Sequence, residues 1–196
     1  MRILPILVLA GCAPLAAAID PPIAQLARWQ RSPPATIAAE PVACSEGHEA
    51  CPRLHLLRAE ACMGLAMAAR APGAACPALR DHLPCAAQSY AAARALAPEP
   101  RLAAGEAQAR LCLAELSGPT EGALEAARAA PAISAAEGWG IFGARAALIA
   151  ARPGAGTDPR RCRSAQSGLR LAPAGSREAA DLAARIATIP NCGATP

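Results

Sequence analysis

Alanine is the residue that most constrains how this chain can fold. It occupies 56 of the 196 positions, whereas Trp29, Tyr90, Trp139 and Phe142 are the only aromatic residues. β-Sandwiches and barrels draw their cores from β-branched and aromatic side chains, so this composition argues against them. A core rich in methyl groups instead requires thin helices that approach one another closely. The sequence therefore predicts an all-α fold with one modest core.

The charged residues argue against one class of partner. All 19 basic residues are arginine, and 15 acidic residues are interspersed with them, which leaves a formal net charge of +4. Proteins that bind nucleic acids concentrate their basic residues in a stripe or patch. The sequence lacks such a stripe, so we expect no nucleic-acid partner.

The N-terminus carries an export signal. Arg2 is followed by an apolar run from Ile3 to Leu9, which is far shorter than the ~18 residues that span a bilayer. The run ends in Leu9-Ala10-Gly11-Cys12, which resembles the lipobox of bacterial lipoproteins. The resemblance implies that residues 1–11 are a signal peptide and that Cys12 is acylated. Because Ala13 rather than Asp follows Cys12, it also implies a periplasm-facing lipoprotein of the outer membrane.

A second interpretation of this terminus stays open. Ala16-Ala17-Ala18 precedes Ile19 and fits the small-residue pattern of an ordinary secretory cleavage site. Cleavage there would release a soluble secreted or periplasmic protein that lacks Cys12.

Proline and glycine divide the remainder of the chain into segments. Residues 12–43 contain six prolines and are predicted to form a semi-rigid membrane tether, with one or two helical turns at Ile23–Trp29. The folded domain is predicted over residues 44–196. Within it, proline and glycine punctuation predicts helices over residues 52–70, 83–97, 101–116, 120–130, 137–152, 158–172 and 176–189.

Two sets of residues resemble the signature of the tetratricopeptide repeat. Its second-helix pattern is matched at offsets 0, 4, 7 and 12 by Ala86, Tyr90, Ala93 and Pro98. Its first-helix pattern is matched at offsets 0, 3, 4 and 7 by Trp139, Phe142, Gly143 and Ala146. The resemblance implies about three helical hairpins plus a closing helix, with a groove that binds a peptide or a partner protein. An irregular helical bundle is the alternative architecture.

Eight cysteines remain once Cys12 is set aside, and an even number in an exported chain predicts four disulfide bonds. Antiparallel pairing of the last two predicted helices would place Cys162 beside Cys192. The repeat resemblance implies that first-of-pair helices stack in register, which would place Cys62 beside Cys112. Local pairing of the other four cysteines then gives Cys76–Cys85 and Cys44–Cys51.

One cluster of residues also fits a metal site. Cys44, His48, Cys51 and His55 are spaced C-x3-H-x2-C-x3-H, which could supply two thiolates and two imidazoles to a tetrahedral zinc ion. In an oxidising compartment, a Cys44–Cys51 disulfide with two surface histidines is the simpler interpretation.

Taken together, the sequence features lead us to expect a lipid-anchored, non-enzymatic envelope adaptor or scaffold that uses no cofactor. A small periplasmic enzyme or metal-binding protein that uses this cluster is the alternative.

Overall fold

The computed structural model describes residues 20–45, 47–72, 74, 76–116, 127–128 and 140–193. Eight helices and no strand lie within these ranges, so the all-α prediction is confirmed. None of the described helices is both long and apolar enough to span a bilayer. The helices are α1 (Pro21–Trp29), α2 (Pro34–Ala39), α3 (Cys51–Ala68), α4 (Leu83–Leu96), α5 (Pro100–Leu116), α6 (Gly140–Ala150), α7 (Asp158–Leu171) and α8 (Arg177–Thr188).

Proline, aspartate and serine set the helix beginnings. The Asp20 carboxylate caps α1 by accepting a hydrogen bond from the Ile23 backbone N–H at 3.0 Å. The Ser176 hydroxyl caps α8 in the same way, with the Ala179 N–H at 3.2 Å. The ends of α3, α4, α5, α7 and α8 lie within two residues of their predicted bounds. The helix predicted over 120–130 lies outside the described residues, apart from 127–128.

The core of α3, α4 and α5 is built largely from small side chains. Tyr90 of α4 supplies an aromatic ring, and this ring lies over Gly105 of α5. A Cβ atom added at Gly105 would come within 2.5 Å of the ring, so only glycine permits this approach. Alanines fill the space around the ring, as expected for thin helices: Ala59, Ala86, Ala87, Ala93 and Ala109.

A buried carboxylate links α4 to α5. Glu106 is 1% exposed, and its Oε2 accepts a hydrogen bond from Arg94 Nε of α4 at 2.9 Å. Its Oε1 accepts one from Arg110 Nε, one turn along α5, at 2.8 Å. Both carboxylate oxygens therefore have a charged partner, which a buried charge requires.

The helices α6, α7 and α8 form a second part of the core. Leu182 of α8 is fully buried against Ala147 of α6 and Ala165 of α7. The two parts of the core meet where Leu111 of α5 packs with Ile149 of α6. Among the described helices, α1 and α2 both pack on α3, each of α4 to α8 packs on the helix before it, and α8 also packs on α6.

The predicted tether is wrong for residues 20–43. Trp29 of α1 and Ile37 of α2 are buried with Leu54 of α3, so both short helices pack on the domain. Gln25 secures the following segment, because its side chain donates to the Pro41 carbonyl at 2.7 Å and accepts from the Ala43 N–H at 2.7 Å. Residues 20–43 thus belong to the folded region, because burial of the indole ring outweighs the extended preference of the surrounding prolines.

Four disulfide bonds join cysteines of the described residues. Two are the predicted pairs, Cys44–Cys51 and Cys162–Cys192. The other two predicted pairs, Cys62–Cys112 and Cys76–Cys85, are wrong. The observed bonds are Cys62–Cys85 and Cys76–Cys112.

The physical reason for this exchange is the position of α4. The pair α3 and α4 makes the most extensive contact between described helices, and Cys62 meets Cys85 within it. The connection between these two helices carries Cys76 to Cys112 of α5, beside buried Ala66 and Leu83. The bond that links α3 to its neighbour therefore goes to α4 rather than to α5.

Candidate functional site

The surface between α6 and α8 is the candidate binding site of the described chain. The inward side of α8 is fixed by Leu182 and by partly buried Ile186, which pack on α6 and α7. The adjoining face of α8, which carries Asp181, Arg185 and Thr188, borders α6 and leaves a channel between the two helices. We call this channel the α6–α8 groove.

The groove consists of two adjoining depressions of about 460 and 290 Å³. They share Leu148 and Arg152 of α6 and Asp181 of α8. The first depression is completed by Ala184, Arg185 and Thr188; the second is completed by Glu115, Arg145, Ile149, Arg177 and Glu178. The groove thus has an aliphatic floor and charged edges.

Two ion pairs cross or border the groove. Arg145 Nε of α6 lies 3.0 Å from Glu178 Oε1 of α8, and Arg177 Nε lies 3.6 Å from Asp181 Oδ2. The hydrogen bond from Arg145 is the main reason why the pKa of Glu178 lies below its usual value. The Arg145–Glu178 pair holds α8 against α6, whereas the Arg177–Asp181 pair lies within α8.

Arg152 and Arg185 differ from these paired arginines. Neither forms an ion pair with any residue in the described part of the chain. Both guanidinium groups line the larger depression and remain available to a ligand. A guanidinium group offers forked N–H donors that suit carboxylates, and the neighbouring aliphatic atoms of Leu148 suit apolar side chains. The groove therefore places charged donors beside an apolar surface.

The residues of the second-helix resemblance serve packing. Ala86 and Ala93 of α4 are fully buried, and Tyr90 is 8% exposed, in the core shared with α3 and α5. Burial raises the pKa of the Tyr90 hydroxyl. Pro98 follows the end of α4 and is exposed. None of these four residues lines the α6–α8 groove.

The residues of the first-helix resemblance also serve packing where they are described. Gly143 and Ala146 of α6 are buried. Phe142 packs, partly buried, on the core that contains Ala146. Trp139 and the expected lipidation site Cys12 lie outside the described residues.

The structure does not assemble the zinc site that the spacing of Cys44, His48, Cys51 and His55 allowed. Cys44 and Cys51 are joined to each other, and a disulfide sulfur lacks the thiolate charge that binds zinc. His48 instead lies with Nε2 3.2 Å from an Asp20 oxygen and with Nδ1 3.1 Å from the Ala50 N–H. Burial, and then the charge of Arg58, lowers the pKa of His55. Among the described residues, no group of three or more histidine, cysteine or acidic residues could hold a metal ion.

Sequence reasoning missed the groove, although one signal for it exists. Arg177, Asp181 and Arg185 recur every four residues and therefore share one face of α8. The sequence does not show that this face lies beside Arg145 and Arg152, because that depends on how α8 docks on α6.

Comparison with known proteins adds no relative. No protein-family model matches the chain. No curated protein and no solved structure matches it either.

Proposed function

We propose that this protein is a non-enzymatic adaptor of the bacterial envelope that captures a segment of a partner protein in the α6–α8 groove. The observation that supports this most directly is the groove itself, in which two arginines without ion pairs flank an aliphatic floor. The helical hairpins around it act as a scaffold that presents this surface, in the manner of tetratricopeptide-like repeats.

The envelope location rests on two further observations. Four disulfide bonds are consistent with an oxidising, extracytoplasmic compartment. The Leu9-Ala10-Gly11-Cys12 sequence supports a lipid anchor at Cys12, which would keep the groove at the periplasmic side of the outer membrane. Mass spectrometry of the mature chain tests the anchor: an acylated N-terminal Cys12 supports it, and an N-terminus at Ile19 contradicts it.

The adaptor function is tested by site-specific photocrosslinking in intact cells. A crosslinking residue replaces Ala184 in the groove, and a matched one replaces Ala95, which is exposed on α4 away from the groove. We expect discrete protein adducts from position 184 only. The double variant Arg152→Glu/Arg185→Glu should abolish these adducts, because it repels a partner that the arginines attract.

The control for the charge reversal is Arg53→Glu/Arg170→Glu. Both of these arginines are exposed, lie outside the groove and lack a described ion pair. Two Arg→Glu substitutions change the net charge by the same amount as those in the groove variant. Adducts that persist in the groove variant, or that disappear equally in both variants, would contradict the proposed function.

A further inference from the structure

A second basic site lies on α7, away from the α6–α8 groove. A depression of about 300 Å³ is lined by Arg128, Arg160, Arg163 and Ser164. Three of its four described lining residues carry a positive charge. Arg160 and Arg163 carry like charges on one side of this depression. Such charges repel one another unless an anion compensates them, so the arrangement favours a bound anion.

The helical register of α7 selects the side chains of this depression. Arg160, Arg163 and Ser164 are separated by three and four residues, so they share one face of the helix. Arg161 and Cys162 lie between them in sequence but face elsewhere. Arg161 Nη1 donates to Asp158 Oδ1 at 2.8 Å, and Cys162 is bonded to Cys192.

The contrast between these neighbouring arginines is informative. Arg161 has its carboxylate partner within the protein, whereas neither Arg160 nor Arg163 forms an ion pair with a described residue. Both are exposed and both line the depression. Their guanidinium groups are therefore available to a ligand that brings its own negative charge.

The third guanidinium group is positioned by the loop before α7. Arg128 Nη2 donates to the Ala155 carbonyl at 3.0 Å. Gly156, whose φ angle is +128°, lies so close that an added Cβ would be 3.3 Å from the same nitrogen. This hydrogen bond holds one nitrogen of the Arg128 guanidinium group at the loop that precedes α7.

We propose that this depression is a binding site for a phosphate group. Forked guanidinium donors match the tetrahedral oxygens of phosphate, and the Ser164 hydroxyl adds a further donor. The depression is larger than a single phosphate group, so it also accommodates a phosphate that is esterified. The phosphate comes either from the headgroup of an anionic lipid or from a soluble phosphate compound. This site does not depend on the proposed adaptor function.

The proposal is tested by isothermal titration calorimetry of the mature full-length chain in a non-ionic detergent at low ionic strength. The probes are inorganic phosphate and a short-chain phosphatidylglycerol below its micelle concentration. A short-chain phosphatidylcholine serves as the control lipid, because its choline neutralises the phosphate. We expect saturable binding of at least one anionic probe and weaker binding of the control lipid.

Arg160→Gln/Arg163→Gln should weaken the binding of that probe by roughly tenfold or more, since each substitution removes charge-assisted hydrogen bonds. Arg53→Gln/Arg170→Gln removes the same charge elsewhere and should change the affinity by less than about twofold. Circular dichroism of all variants checks that the helical fold is retained.

The outcomes distinguish the sources of the phosphate. Tighter binding of phosphatidylglycerol assigns the site to a membrane lipid, and equal or tighter binding of inorganic phosphate assigns it to a soluble compound. The proposal is overturned if neither anionic probe binds, or if the two double variants lose affinity equally.

Discussion

The two parts of the molecule solve the problem of an alanine-rich core differently. In the α1–α5 part, residues 20–116, α3 buries seven residues and α5 buries eight, and three of the four disulfides lie there. In the α6–α8 part, residues 140–193, α6 buries six residues but α7 and α8 together bury only three, and one disulfide is present. Small side chains bury little area each, so disulfide bonds add stability to both parts, and more of these bonds lie in the α1–α5 part.

The two candidate sites lie in the part with fewer disulfide bonds. Because α7 and α8 bury so little, most of their residues are at least partly exposed, and both the α6–α8 groove and the arginine depression involve these helices. Regions with few buried contacts also open at lower free energy than densely buried ones. We therefore expect the α6–α8 part, which carries both candidate sites, to open at lower free energy than the α1–α5 part.

The largest expected effect comes from the apolar anchor of the α6–α8 part. Leu182→Ala should lower the free energy of unfolding by about 2–5 kcal/mol, since it removes a fully buried leucine between α6 and α7. Urea denaturation of the oxidised protein measures this change, and hydrogen exchange locates it. We expect protection to fall in α6–α8 and to persist in α3–α5.

Leu169→Ala is the matched control, because Leu169 lies on α7 but is 36% exposed. Leu169→Ala should lower the free energy of unfolding much less than Leu182→Ala does. If exchange protection fell equally in both parts after Leu182→Ala, the two parts would form one cooperative unit, and the division between them would be wrong.

The next effect compares one disulfide from each part. Cys162→Ala/Cys192→Ala opens a link across 30 residues and should lower the free energy of unfolding by about 2–4 kcal/mol. Cys44→Ala/Cys51→Ala opens a link across 7 residues, so its effect should be about 1 kcal/mol smaller by loop-closure entropy. Urea denaturation under non-reducing conditions tests both. Equal losses would show that loop length does not determine how these bonds stabilise the chain.

Helix positions could be predicted from the sequence because their ends are local. Pro52, Pro98, Pro159 and Ser176 each mark a helix boundary through backbone chemistry that acts within a few residues. The alanine content likewise predicted close helix packing, which the contact of Tyr90 with Gly105 shows.

The features that sequence reasoning missed depend on distant contacts. Pro21 and Pro34 suggested an extended tether, yet each occupies the first turn of a short helix whose buried residue packs on α3. The exchanged disulfides have the same cause, since the partner of Cys62 depends on which helix lies beside α3. The two candidate sites require the docking of α8 and the loop around Ala155, which no local pattern specifies.

The smallest expected effect is a pH-dependent release of α1. Glu40 accepts hydrogen bonds from Trp29 Nε1 at 2.8 Å and from Gln25, and it pairs with Arg28. These contacts, the Trp29 bond foremost, hold the pKa of Glu40 below 4.5. Because the pKa of Glu40 is lower in the folded state than in the unfolded state, its contribution to stability is complete above the unfolded-state pKa. This contribution is lost as pH falls through the folded-state pKa. We therefore expect α1 to loosen below pH 4.5.

Trp29 fluorescence reports this release in a Trp139→Phe background, in which it is the only tryptophan. Asp20 also has a lowered pKa, chiefly through the Ile23 N–H, so Asp20→Asn is added to keep the α1 cap while removing that titration. Acid should shift the Trp29 emission to longer wavelength while α3–α5 remain folded.

Glu40→Gln should reduce this shift. It should lower the free energy of unfolding by about 1 kcal/mol or less at neutral pH, because the carboxylate is partly exposed. Glu49→Gln, on an exposed residue without a described partner, should leave the acid transition unchanged. If Glu40→Gln also left it unchanged, another group would hold α1 in place, and the α1–α5 part would owe its acid response to contacts other than those of Glu40.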